Sequence, residues 1–99
     1  MPELLDAVAA HQARFWGVDV DPRTEVLVTV GATEAIAATV LALVAPGDEV
    51  VTFEPYYDSY AAVVALAGAR LVTVPLRWPD FQPDLDQLRS AVTDRTRVI

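Results

Sequence analysis

The chain contains no lysine, no cysteine and only one histidine. Without cysteine there is no disulfide staple, no thiolate nucleophile and no thiolate ligand. His11 alone is too little for a histidine-based metal site, so none is expected. Without lysine no side chain offers an aliphatic amine, and the seven bases, Arg14, Arg23, Arg70, Arg77, Arg89, Arg95 and Arg97, are all arginine. Bases are scarce as well: fourteen acids leave a net charge of −7, which repels a phosphate backbone and excludes nucleic acid as the expected partner. No run approaches the ~18 apolar residues of a membrane span. Glu3, Asp6, His11 and Arg14 interrupt the first fifteen residues, which argues against a secretory signal. The expected location is cytoplasmic, away from membranes.

What is present is apolar. At 99 residues and 54% hydrophobic, the chain fits one small domain with a core and is unlike a disordered tail. Size scaling allows roughly 5,500 Å² of folded surface against roughly 15,500 Å² for the open chain.

From Pro2 to Trp16 the residues Leu4, Leu5, Val8, Gln12, Phe15 and Trp16 recur at helical steps, with Gly17 as the stop. A polar link, 18–24, follows. Val26–Val30 reads as a short buried strand ended by Gly31, and 33–44 as an apolar helix closed by Ala45-Pro46-Gly47-Asp48. Residues 49–53 predict the next strand, 57–67 a helix with Gly68 at its C′ position, and 71–76 a third strand. A loop, 78–83, leads to an amphipathic helix over 84–92, and 97–99 begins a further strand. An N-terminal helix followed by repeated βα units predicts an α/β fold with a mainly parallel sheet. The chain stops inside an apolar run, which gives the expectation of a truncated domain.

Two segments could carry chemistry. In Val30-Gly31-Ala32-Thr33-Glu34 a strand ends in small residues before a helix. The first N–H groups of a helix lack intrahelical acceptors and lie at the positive end of the dipole, so an anion can be seated there with Thr33 adding a hydroxyl. The same string also suits an ordinary βα turn, with Thr33 as cap and Glu34 favouring the dipole. In Glu54-Pro55-Tyr56-Tyr57-Asp58-Ser59-Tyr60, tyrosines just past a strand can stack on a planar ring, and a cis proline could aim them. Packing between Tyr56 and Tyr60 is the alternative. His11 reads as a solvated or satisfied side chain. Trp78 and Phe81 read as covering a sheet edge, and Arg89, Arg95 and Arg97 as cations suited to a helix C-terminus.

Together the two segments, in EVLVTVGATEAIAATVLALVAPGDEVVTFEPYYDSYAAVVALAGARLVTVPL, resemble the large domain of class I/II, fold-type-I aminotransferases that use pyridoxal 5′-phosphate. The nearest flavour is the kynurenine and N-succinyldiaminopimelate aminotransferase branch. The opening PELLDAVAAHQARFWG also resembles that family's helix before the first strand, so the resemblance spans essentially the whole chain.

It implies a partial three-layer αβα large domain over 1–99: an N-terminal helix over 1–17, then βα repeats over 25–99 truncated before an NPxxPTG-type loop. Gly31, Ala32 and Thr33 fall on the family's phosphate turn, and Tyr57 on its ring-stacking aromatic. Residues 45–49 fall on a structural turn. The complete enzyme would be a homodimer moving an amino group between an amino acid and a 2-oxo acid. A carbon–sulfur lyase on the same scaffold, or a non-catalytic remnant or interaction module, is the alternative. The Schiff-base lysine, the pyridinium-pairing aspartate and the carboxylate-binding arginine of the family all fall beyond Ile99, so no catalytic residue is assigned here. The family's strand order also predicts that Val26–Val30 and Val50–Phe53 lack the sheet neighbours that come after Ile99.

Overall fold

Proline at a first helical position and glycine in the left-handed region bound the first helix of the computed structural model, which describes residues 1–99. This helix, α1 (Pro2–Trp16), matches the predicted span. The Gly17 and Val18 N–H groups donate back to the Ala13 and Gln12 carbonyls and close its last turn. The chain divides into two compact units, Met1–Gly31 and Ala32–Ile99.

In the first unit, Asp21 organises a turn. Its carbonyl accepts from the Thr24 and Glu25 N–H groups, and its carboxylate accepts from the Arg23 N–H at 2.8 Å. Arg23 Nη2 then reaches Asp6 Oδ2 on α1 at 3.1 Å. His11 stacks on Phe15, with centroids 4.6 Å apart. The expected strand over Val26–Val30 does not form, and Leu27, Val28 and Val30 are exposed. β-branched residues favour extended backbone, but a strand exists only when another supplies its hydrogen bonds, and none pairs with this run.

The second unit follows the expected alternation: α2 (Ala32–Leu43), β1 (Glu49–Glu54), α3 (Ser59–Leu66), β2 (Arg70–Pro75), α4 (Leu85–Ala91) and β3 (Thr96–Val98). The three strands form one parallel sheet in the order β2-β1-β3. Helices are the natural crossovers between parallel neighbours. β1 and β2 pair in continuous register from Glu49↔Arg70 to Glu54↔Pro75. β1 is therefore central: β2 pairs along its whole length, whereas β3 pairs only with Glu49 and Val50, so on that side Val51–Phe53 have no partner strand within these residues.

Val40 of α2 and Val44 just after it, Val50 of β1, and Val63, Val64 and Ala67 of or next to α3 form the core. Gly68 follows α3 at φ 71°, and a Cβ there would lie 3.3 Å from Pro46. The backbones meet closely because the Gly47 N–H donates to the Gly68 carbonyl at 3.0 Å. α3 starts at Ser59 rather than Tyr57 because the Tyr60 N–H donates to the Tyr57 carbonyl, making a turn ahead of the helical ladder. At α4, the Asp84 carboxylate caps the Asp86 and Gln87 N–H groups.

Two further expectations change. Trp78 is 81% exposed and packs edge-on against Phe81 instead of covering a sheet edge. Arg89, Arg95 and Arg97 are not simply dipole cations: they pair with Asp86, Glu49 and Asp48, respectively. Glu49 is fully buried at the start of β1. Its carboxylate accepts from Arg70 Nη2, Arg95 Nε and Nη2, and Thr93 Oγ1, all within 2.9 Å. These bonds, from Arg70 first and then Arg95 and Thr93, hold its pKa down to about 2.

Candidate functional site

Gly31, the last residue of the first unit, has φ 87°, a conformation glycine adopts without steric cost. Nothing lies within 4 Å of where its Cβ would stand, so backbone conformation and not crowding calls for glycine. Its N–H is already engaged, donating to the Thr29 carbonyl at 2.9 Å, while Thr29 Oγ1 donates to the Gly31 carbonyl at 3.0 Å. The amides with no acceptor inside the helix are those opening α2, beginning with Ala32 and Thr33. The sequence points to Gly31 and Ala32 as small residues that let an anion approach and to Thr33 as a hydroxyl donor. The turn at Thr29 separates Gly31, which shapes the chain, from the two residues that start the helix.

Within the second unit, Thr33 and Tyr57 come together across 24 residues. Thr33 Oγ1 and the Tyr57 hydroxyl are 3.2 Å apart, and either can donate. The Thr33 hydroxyl, followed by that of Ser59, lowers the Tyr57 pKa from its ordinary value by stabilising the phenolate, while burial and the Asp58 charge push it the other way. Tyr57 is 50% exposed, so its ring is open to a small molecule. It stands after β1, past a cis Glu54–Pro55 bond.

Tyr60 meets the Tyr57 ring edge-on at 5.9 Å and 84°, and lies near-parallel to Tyr56 at 6.4 Å and 17°. The spacings of three and four residues carried that signal, but only the geometry shows that Tyr60 touches both. Tyr60 also lines an apolar cavity of about 370 Å³ bounded by α2, β1, α3 and β3, with Ile36, Val40, Val64 and Val98 among its walls. Thr33 and Tyr57 do not line that cavity. No group of three or more His, Cys, Asp or Glu side chains is arranged to hold a metal, and no helix is long and apolar enough to cross a membrane.

A parallel βαβ sheet with a small-residue turn entering one helix and an aromatic just past the next strand defines a mixed α/β fold of the kind found in fold-type-I aminotransferases. The family model for aminotransferase class I and II matches residues 1–99, and the chain belongs to that family. It is 65% identical over 96 residues to a probable N-succinyldiaminopimelate aminotransferase of Mycobacterium tuberculosis, covering 94% of this chain and 24% of that protein. It is 40% identical over 96 residues to the methionine aminotransferase of Escherichia coli, covering 97% of this chain and 25% of that one. The solved N-succinyldiaminopimelate aminotransferase of Mycobacterium tuberculosis superposes with a TM-score of 0.93 at 62% identity, over 98% of this chain and 26% of that structure. A solved methionine aminotransferase from Escherichia coli gives 0.96 at 39% identity, over 99% and 26%. The chain thus spans about a quarter of the length of these relatives.

Proposed function

We propose that residues 1–99 form part of the large domain of a cytoplasmic, homodimeric, pyridoxal-phosphate-dependent aminotransferase. The parent protein would move an amino group between an amino acid and a 2-oxo acid in a biosynthetic pathway. The observation that carries this reading is the Thr33–Tyr57 contact, which sets a hydroxyl beside the start of α2 next to an accessible aromatic ring. The residues fit the cofactor. Ala32 and Thr33 amides with the Thr33 hydroxyl suit a phosphate, Gly31 gives the turn its path, and the Tyr57 face suits a pyridine ring. Pyridoxal phosphate, when bound, supplies the electron sink for amino transfer. This chain's share is to bind the phosphate and orient the ring.

The lysine needed for catalysis is not among these residues. The 99-residue chain by itself is therefore proposed to be inactive, with no catalytic residue of its own. The test is a chimera in which residues 1–99 replace the matching quarter of the mycobacterial relative. The chimera is expected to transfer amino groups and retain bound cofactor. A folded chimera that binds no cofactor would sink the proposal.

A second reading, a non-catalytic module that associates through apolar surface, is favoured by the exposed Leu27, Val28 and Val30. Light scattering on the eluting chain separates the two: defined oligomers support the module, and a cooperative monomer counts against it.

A further inference from the structure

We propose that Tyr60 is a positioning residue that fixes the plane of the Tyr57 ring, an inference that rests on the reading of Tyr57 as the ring-contact residue. Thr33 holds Tyr57 only by its hydroxyl, at 3.2 Å. That oxygen lies on the axis about which the ring turns, so the bond fixes where the ring ends without fixing which way its face looks. The torsion concerned is broad and twofold in aromatic side chains. A contact to the ring's side is needed to restrict it. Tyr60 supplies one, with its ring at 84° to that of Tyr57 and 5.9 Å from it, the edge-to-face arrangement that aromatic quadrupoles favour.

Tyr60 is itself well placed to act as a brace. It belongs to the first turn of α3, is half-buried, and has Tyr56 near-parallel beside it at 6.4 Å. Tyr57 precedes the helix and is half exposed, so its open side is not packed against other side chains.

Two measurements on the 99-residue chain test the inference. In proton NMR of the free chain, the Tyr57 ring signals should lose their ring-current displacement in Tyr60→Leu and keep it in Tyr60→Phe, which retains the brace. Pyridoxal phosphate titrated into the same proteins should bind roughly two- to tenfold more weakly to Tyr60→Leu, with Tyr60→Phe restoring the parent affinity. The loss should vanish when Tyr57 is already alanine, because a brace acts only through the ring that it holds. Unchanged Tyr57 signals in Tyr60→Leu, or an equal loss of affinity in the Tyr57→Ala background, would overturn the proposal. Parent-like affinity in Tyr57→Ala itself would instead remove the ring-contact reading beneath it, while the cofactor-free NMR result still judges the brace.

Discussion

Arg95 places both Nε and Nη2 on the same oxygen of Glu49, at 2.9 and 2.6 Å, joining residues 46 apart in sequence. The contact ties the segment entering β3 to the first residue of β1, where the Glu49 N–H also donates to the Arg95 carbonyl at 2.9 Å. Arg70 brings β2 to the same carboxylate. One buried acid thus holds the starts of all three strands.

The Glu49 pKa, lowered from 4.5 to about 2, makes acid destabilising. Above pH 4.5 both folded and unfolded chains carry the ionised acid and its stabilisation is fully present. Between 4.5 and 2 the unfolded chain takes up a proton that the folded chain refuses, so stability falls with pH. Glu49→Gln should flatten acid unfolding in that window, followed by circular dichroism, and lower the Tm at neutral pH by about 5 °C or more. An acid profile identical to the parent's would shift the effect to other carboxylates such as Asp84, whose capping bonds also lower its pKa.

Thr33→Val should raise the Tyr57 phenol titration toward the ordinary tyrosine value, because the hydroxyl that stabilises the phenolate is gone. Thr33→Ser should restore it. Ultraviolet absorbance, with Tyr57→Phe subtracted to assign the signal, reads the shift. Identical curves for Val and Ser would dissolve the Thr33–Tyr57 link.

In the chimera, Tyr57→Ala should weaken cofactor retention roughly two- to twelve-fold, corresponding to about 0.5–1.5 kcal/mol of ring stacking. Tyr56→Ala should disturb packing more than cofactor affinity. Equilibrium dialysis against pyridoxal phosphate compares them.

Val64 is 1% exposed within the α2–α3–β1 core, whereas Leu27 is 77% exposed. Val64→Ala should cost about 2 kcal/mol in urea unfolding, from two buried methyl groups and the space they leave. Leu27→Ala should stay within about 0.5 kcal/mol of the parent. Comparable costs would mean that Leu27 is buried in solution.

Lysine is absent, so the α-amine of Met1 is the one aliphatic amine in these 99 residues. After incubation with pyridoxal phosphate and borohydride reduction, mass spectrometry should find pyridoxyl label on Met1 alone or nowhere. Amino transfer to a 2-oxo acid should be undetectable. A label at an internal residue, or turnover by this chain, would contradict the proposed inactivity.

Local chemistry determined much of this protein in sequence. Helical spacing with Pro2 and Gly17 bounded α1, and βα alternation with Gly47 and Gly68 located β1, α3 and β2 to within two residues, because caps, turns and periodicity act between near neighbours. The family resemblance singled out Thr33 and Tyr57 individually. Their 3.2 Å meeting, the edge-on approach of Tyr60 and the capture of Arg95 by Glu49 required tertiary structure. So did the fate of Val26–Val30, which joins no sheet because its β-branched residues favour extension without supplying a partner strand. Propensity belongs to a segment, but a hydrogen-bonded ladder, a braced ring or a buried ion pair belongs to two segments at once. Which two meet is decided only when the sheet and its covering helices pack.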